Sequence, residues 1–145
     1  MKKLKDLDNN LELWHSETIA WTPALTLFLK VYAETIDRGL GLNQIHFKNS
    51  NRVVWIQNSE KVVLGGICYE YSPENQMGWI VLSFTDPSYR GQGVNSLCHQ
   101  AFEDDCKSLG AISIGSTVSV GNESRLKSAA KVGLLPKFYR MYKKI

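Results

Sequence analysis

Residues 83 to 97 read Ser83-Phe84-Thr85-Asp86-Pro87-Ser88-Tyr89-Arg90-Gly91-Gln92-Gly93-Val94-Asn95-Ser96-Leu97. The apolar run from Trp79 to Phe84 enters this stretch as a strand, Asp86-Pro87 marks a turn, and beyond Gly93 the apolar residues recur at helical spacing. The first N–H groups of a helix lack intrahelical acceptors, and the helix dipole places partial positive charge at that end. Glycines just ahead of it let an anion approach the backbone, and Arg90 adds a permanent cation suited to phosphate oxygens. The stretch therefore reads as a seat for a pyrophosphate, or else as an ordinary strand-to-helix turn with a solvated arginine. It contains no Gly-x-x-x-x-Gly-Lys-[Ser/Thr] run and no Gly-x-Ser-x-Gly elbow, so neither a P-loop nor a serine-hydrolase reading applies.

On its N-terminal side, Arg52 to Gln57 and Lys61 to Tyr71 are β-rich runs separated by Asn58-Ser59-Glu60, and a second turn at 72–76 leads into a strand from Gly78 to Thr85. Further back, Trp21, Leu25, Phe28, Tyr32 and Ile36 form an apolar stripe at spacings of three and four. They predict a helix from Pro23 to Arg38, with Thr22 as its N-cap and Gly39 and Gly41 as its stop. Residues 1 to 10 are polar and expected to fray, Leu11, Leu13 and His15 alternate as a short strand would, and the segment from Gly39 to Ser50 reads as a loop with one helical turn.

On its C-terminal side, Val94, Leu97, Cys98, Ala101, Phe102 and Leu109 share a helix face, with His99 expected to be partly exposed and Gly110 to end the helix. Ala111 to Val118 reads as a strand, Gly121 to Gly133 as a short helix, and Lys137 to Lys143 as a closing strand. The 145 residues suit a single domain spanning 1–145, and the net charge of +3 carries no nucleic-acid motif. No apolar stretch approaches the ~20 residues of a membrane helix, and the first residues lack the apolar core of a secretory signal, so a cytoplasmic location is expected. Cys68, Cys98 and Cys106 lack metal or disulfide spacing and read as buried thiols, with no metal expected.

Pro87 to Val94 resembles the acyl-CoA signature of the GNAT superfamily of N-acetyltransferases: Arg or Gln, two residues, Gly, one residue, then Gly or Ala. Arg90 and Gly93 fit, and Asn95 departs from it. The segment from Asn122 to Gly133, eleven residues apart, resembles the second family motif, with Leu134 where Phe is usual. The resemblance implies an α+β fold, a mixed, mostly antiparallel twisted sheet of about six to seven strands flanked by about four helices. It implies acetyl-CoA as cosubstrate, with Ser83, Phe84 and Thr85 pairing with pantetheine. Arg90, Gly91, Gln92, Gly93, Val94, Asn95 and Ser96 would hold the pyrophosphate, and Asn122 would lie near the reacting carbonyl.

The implied function is transfer of an acetyl group to a primary amine of a small molecule, amino acid or peptide, by direct attack in a ternary complex. The alternative is an acyl-CoA sensor without efficient transfer. The family often carries a tyrosine as general acid seven residues after the Asn, where this chain has Ala129. Tyr139 and Tyr142 are the candidate replacements and Glu70 the candidate base. A monomer or homodimer without a nucleic-acid or membrane partner is expected.

Overall fold

Val54, Ile56, Ile67 and Tyr69 are wholly buried in one apolar cluster, whereas Val53, Trp55 and Cys68, their neighbours in sequence, are wholly buried in another. Successive side chains of an extended strand point to opposite faces, so burial on both faces gives near-continuous apolar runs. The computed structural model describes residues 1–38, 47–118, 121–137, 141 and 143. Its six strands lie side by side in chain order: β1 (Lys2–Asp6), β2 (Glu12–Ser16), β3 (Arg52–Gln57), β4 (Val63–Ser72), β5 (Met77–Thr85) and β6 (Ser113–Ser116). Neighbours are antiparallel except β5 and β6, which run parallel.

Helix α1 (Ala24–Asp37) covers one face through Ala24 and Phe28, packed with Trp55, Cys68 and Leu82. Helix α2 (Val94–Ser108) covers the other through Val94, Cys98, Ala101, Phe102 and Cys106. Helix α3 (Glu123–Lys131) follows β6. The mixed, mostly antiparallel sheet with flanking helices is thus the expected α+β architecture. Cys68, Cys98 and Cys106 are free and buried, and burial pushes the Cys98 and Cys106 thiols up to about 12. No helix among the described residues is long and apolar enough to cross a membrane.

Four local expectations change. Residues 1 to 10 do not fray: they hold the edge strand β1 and a 3-10 turn at Asp8–Asn10. Every residue of β1 is exposed, so no alternation marks it, and backbone pairing of Lys2 with His15 and Asp6 with Glu12 supplies its register. Lysines along a sheet edge also discourage pairing with another chain. Second, the Thr22 hydroxyl does not cap α1; it donates to the Ile19 carbonyl oxygen at 2.7 Å. Third, Trp21 leaves the stripe and is 95% exposed, because its backbone at φ 65 lies outside the helix.

The fourth is His99, which is buried at 3% exposure rather than partly exposed. Its ring stands edge-on to Phe102 at 5.6 Å, Nδ1 lies 3.9 Å from Glu103 Oε2, and Nε2 has no partner. Burial holds the imidazole below its usual 6.5, against the opposing pull of Glu103. The unfolded chain therefore binds the proton more readily, so this contribution is present above pH 6.5 and is lost as the pH falls below it. His99→Leu should gain stability relative to wild type as the pH falls from 7.5 to 5, read from paired thermal melts. A difference that stays constant would show that His99 does not titrate with folding.

A second polar group ties α2 to the sheet. Asp105 receives Arg52 Nε at 2.8 Å and Arg52 Nη2 at 3.1 Å in a two-point pair, and it accepts the Tyr69 hydroxyl at 2.6 Å. His15 Nε2 lies 3.4 Å from its other oxygen. Although burial opposes the charge, the bonds from His15, Arg52 and Tyr69 hold the Asp105 carboxyl well below the usual carboxylate range. This group joins β2, β3 and β4 to the C-terminal part of α2. The helical turn expected within 39–50 and the closing strand expected at 137–143 lie largely outside the described residues.

Candidate active site

The ladder between β4 and β5 slips at one position. Cys68 faces Leu82 while Tyr69 faces Ile80, leaving Val81 as an extra residue. Such a bulge bends its strand. Val81 and Leu82 both pack into the α1-side cluster although they are adjacent in sequence. On the other side of β5 the parallel ladder to β6 ends at Ile80 and Ser116. Beyond that point Ser83, Phe84, Thr85 and, across the fork, Thr117 and Val118 line a cavity of about 740 Å³. An extended group entering the fork meets strand backbone along β5 where the ladder to β6 has stopped.

The glycine turn forms the far end of this cavity. The Asp86 N–H donates to the Leu64 carbonyl at 2.7 Å, and its carboxylate accepts the Ser88 N–H at 2.8 Å, anchoring a 3-10 turn over Pro87–Tyr89. Arg90 Nε donates to the Thr85 carbonyl at 3.2 Å, which folds the side chain back along the strand end. Gly91 (φ 77) and Gly93 (φ 82) hold the left-handed conformation that glycine adopts without a steric penalty. A Cβ placed on either would meet no protein atom within 4 Å. The glycines thus keep open a hollow next to the start of α2.

The first described bond of that helix runs from the Leu97 N–H to the Gly93 carbonyl at 3.0 Å, so the amides of Val94, Asn95 and Ser96 precede the ladder. No acidic residue stands in the first turn. These donors, the dipole and Arg90 suit a phosphate group; of the candidate residues, Ser83 to Thr85, Arg90, Gly91 and Gly93 to Ser96 line the cavity, and Gln92 does not. Gln92 turns its amide to the Ser88 carbonyl, 3.1 Å away, and braces the turn from outside.

Helix α3 supplies the opposite wall. The Asn122 carboxamide oxygen caps it, accepting the Arg125 N–H at 3.3 Å, and the same residue lines the cavity, so its amide NH₂ remains to serve a ligand. Ser124, Lys127, Ser128 and Lys131 continue this wall at helical spacing. Arg125 donates through Nη1 to Ser128 Oγ at 3.1 Å, while its Nη2 is buried without a partner. Burial lowers its affinity for the proton, yet the guanidinium stays charged, and its field reaches the buried His99 of α2. Arg125 gave no sequence signal beyond its place one turn after Asn122.

The candidate catalytic side chains are not gathered here. Glu70 is exposed on β4, paired in register with Trp79, and is not among the residues lining the cavity. Tyr139 and Tyr142 lie outside the described residues. Ala129 is buried at 5% exposure, and Tyr89, at the mouth of the glycine turn, is the tyrosine that lines the cavity among the described residues. The sequence names the first helix as a wall towards the acceptor but singles out none of its residues. Val31, Glu34, Thr35 and Arg38 fall at helical spacing and face the cavity beyond the part of α1 that packs on the sheet.

A mixed sheet that forks beside a glycine turn and a helix start offers a place for an extended, anionic ligand. The acetyltransferase (GNAT) family model matches residues 13–134, and the chain belongs to that family. The fold is similar to aminoglycoside N-acetyltransferase AAC(6')-Iy in complex with CoA, with a TM-score of 0.66, 13% identity, and coverage of 98% of this chain and 99% of that one. It is also similar to an aminoglycoside acetyltransferase from an uncultured soil metagenomic sample, in complex with trehalose, with a TM-score of 0.65, 12% identity, and coverage of 95% and 98%. A possible acetyltransferase from Clostridium difficile 630 matches with a TM-score of 0.64, 14% identity, and coverage of 94% and 98%. At such identities the likeness speaks for the fold. Comparison with curated proteins gives no significant match.

Proposed function

We propose that the chain transfers the acetyl group of acetyl-CoA to an amine held against α1. The observation that carries this reading is the cavity's charge: Arg38, Arg90, Arg125, Lys127 and Lys131 line it with one carboxylate, Glu34, which suits a ligand bearing several phosphate charges. In this reading the amides of Val94, Asn95 and Ser96 and the Arg90 side chain hold the pyrophosphate, the free edge of Ser83 to Thr85 pairs with the pantetheine arm, and Asn122 NH₂ steadies the thioester end. One proton leaves the ammonium to water, the freed nitrogen bonds to the acetyl carbon as the carbon–sulfur bond breaks, and the departing thiolate takes up the second proton that the nitrogen sheds, leaving an amide and a free thiol. Acyl transfer of this kind needs positioning and a route for that proton, which the open cavity offers through water.

CoA binding measured by calorimetry, together with thiol release from acetyl-CoA in the presence of amines, tests the proposal. Expected is binding that weakens steeply with salt, because the contacts are to phosphate charge, and thiol release only when an amine is added. CoA binding without amine-dependent release would favour a sensor instead, and absence of CoA binding would refute both.

A further inference from the structure

The cavity has two unlike walls. Its α2 and α3 side carries the cradle and four of the five cations found among the described residues. The α1 side lies across the sheet from it and presents Glu34 and Arg38 one helical turn apart, their Cβ atoms about 6 Å from one another. Every Asp and Glu of the chain falls among the described residues, and of these only Glu34 lines the cavity. Its present partner is Lys30, 4.0 Å away, with both side chains more than half exposed, a contact that a ligand ammonium can replace.

Resting on the acetyl-transfer reading, we infer that the acceptor is a zwitterion with one ammonium and one carboxylate, of the α-amino acid kind, received by Glu34 and Arg38. One side-chain carboxylate can neutralise one ammonium. A polycation such as an aminoglycoside would bring its remaining charges up to the same cations that the cosubstrate's phosphates need. Arg38, by contrast, offers the two-point geometry that a carboxylate accepts. The pair also sets polarity: the ammonium goes to Glu34, and the carboxylate goes one turn farther along α1.

The test is a thiol-release screen with L-amino acids, their carboxamides, spermidine and neamine, repeated with Glu34→Gln and Arg38→Met. Wild type should prefer an amino acid to its carboxamide by about tenfold or more in kcat/KM, and Arg38→Met should bring that ratio close to one. Glu34→Gln should raise the amino-acid KM by about tenfold and leave the acetyl-CoA KM within about twofold. Faster turnover of neamine or spermidine than of every amino acid, or an acid-to-amide ratio that survives Arg38→Met, would overturn the inference while leaving acetyl transfer in place. Intact CoA binding with no thiol release from any amine would overturn the acetyl-transfer reading itself.

Discussion

Gly93→Asp should weaken CoA binding by about 100-fold or more without unfolding the chain. A carboxylate about 5 Å from a phosphate, at the effective dielectric of a protein surface, costs about 3 kcal/mol, which is roughly a hundredfold in affinity. Two features of the site isolate that effect from damage to the fold. The hollow beside Gly93 is open, so the new side chain meets no protein atom within 4 Å at its Cβ. An aspartate preceding a helix also interacts favourably with its free amides, and Asp tolerates the left-handed backbone at φ 82 better than most residues. Gly93→Ala separates the terms, since it carries the backbone cost of about 1 kcal/mol and none of the charge. Calorimetry with CoA and a thermal melt of each variant check the result. Wild-type affinity in folded Gly93→Asp would move the phosphate seat elsewhere.

Asp105→Asn should lower stability by about 3 kcal/mol, a fall in Tm of roughly 10 °C for a chain of this size. The substitution keeps the shape of the side chain but leaves Arg52, only 18% exposed, without the charge that offsets its burial. It also replaces an acceptor of the Tyr69 hydroxyl with an amide that must turn its oxygen towards one partner and its NH₂ towards another. In wild type the sign of the pH dependence follows from the depressed carboxyl. The unfolded group protonates near its ordinary 3.8, so the stabilisation is complete above that value and drains away as the pH falls below it. Asp105→Asn should therefore be nearest to wild type in strong acid and farthest from it at neutral pH. CoA affinity measured well below the melt should change little, because Asp105 stands about 16 Å along α2 from Val94. A Tm within about 2 °C of wild type would mean that water already screens the pair.

What the sequence made legible was what local chemistry controls. The paired glycines, Asp86-Pro87 and the apolar runs on either side are consecutive in the chain, so strand, turn and helix could be read in order, and the ends of α1 fell within a residue of expectation. What escaped was decided by partners distant in sequence. Asp105 sits in the acidic run Glu103-Asp104-Asp105, which looks like a solvated face, and its partners Tyr69, Arg52 and His15 come from three strands. Helical periodicity assigned α1 a core face but could not say which of its polar residues turn towards the cavity, so nothing marked Glu34 and Arg38. In β1, exposed lysines carry no pattern, and the strand exists because β2 offers it a free edge. Ala129 shows the limit of motif reading: the missing tyrosine was evident, but the unmet donor on Arg125 four residues earlier required coordinates.

The fork between β5 and β6 has a consequence for the molecule as a whole. β6 is four residues long, and its parallel ladder to β5 is the seam by which it and the helix that follows join the sheet. A molecule lodged in the fork spans both banks and fastens what the ladder leaves apart. By mass action, whatever binds only the closed arrangement raises the free energy of opening it, by about 2.7 kcal/mol at a hundred times its dissociation constant. If the fork takes the acetyl donor, the chain's resistance to local opening, and with it its lifetime among proteases, rises and falls with the supply of that donor.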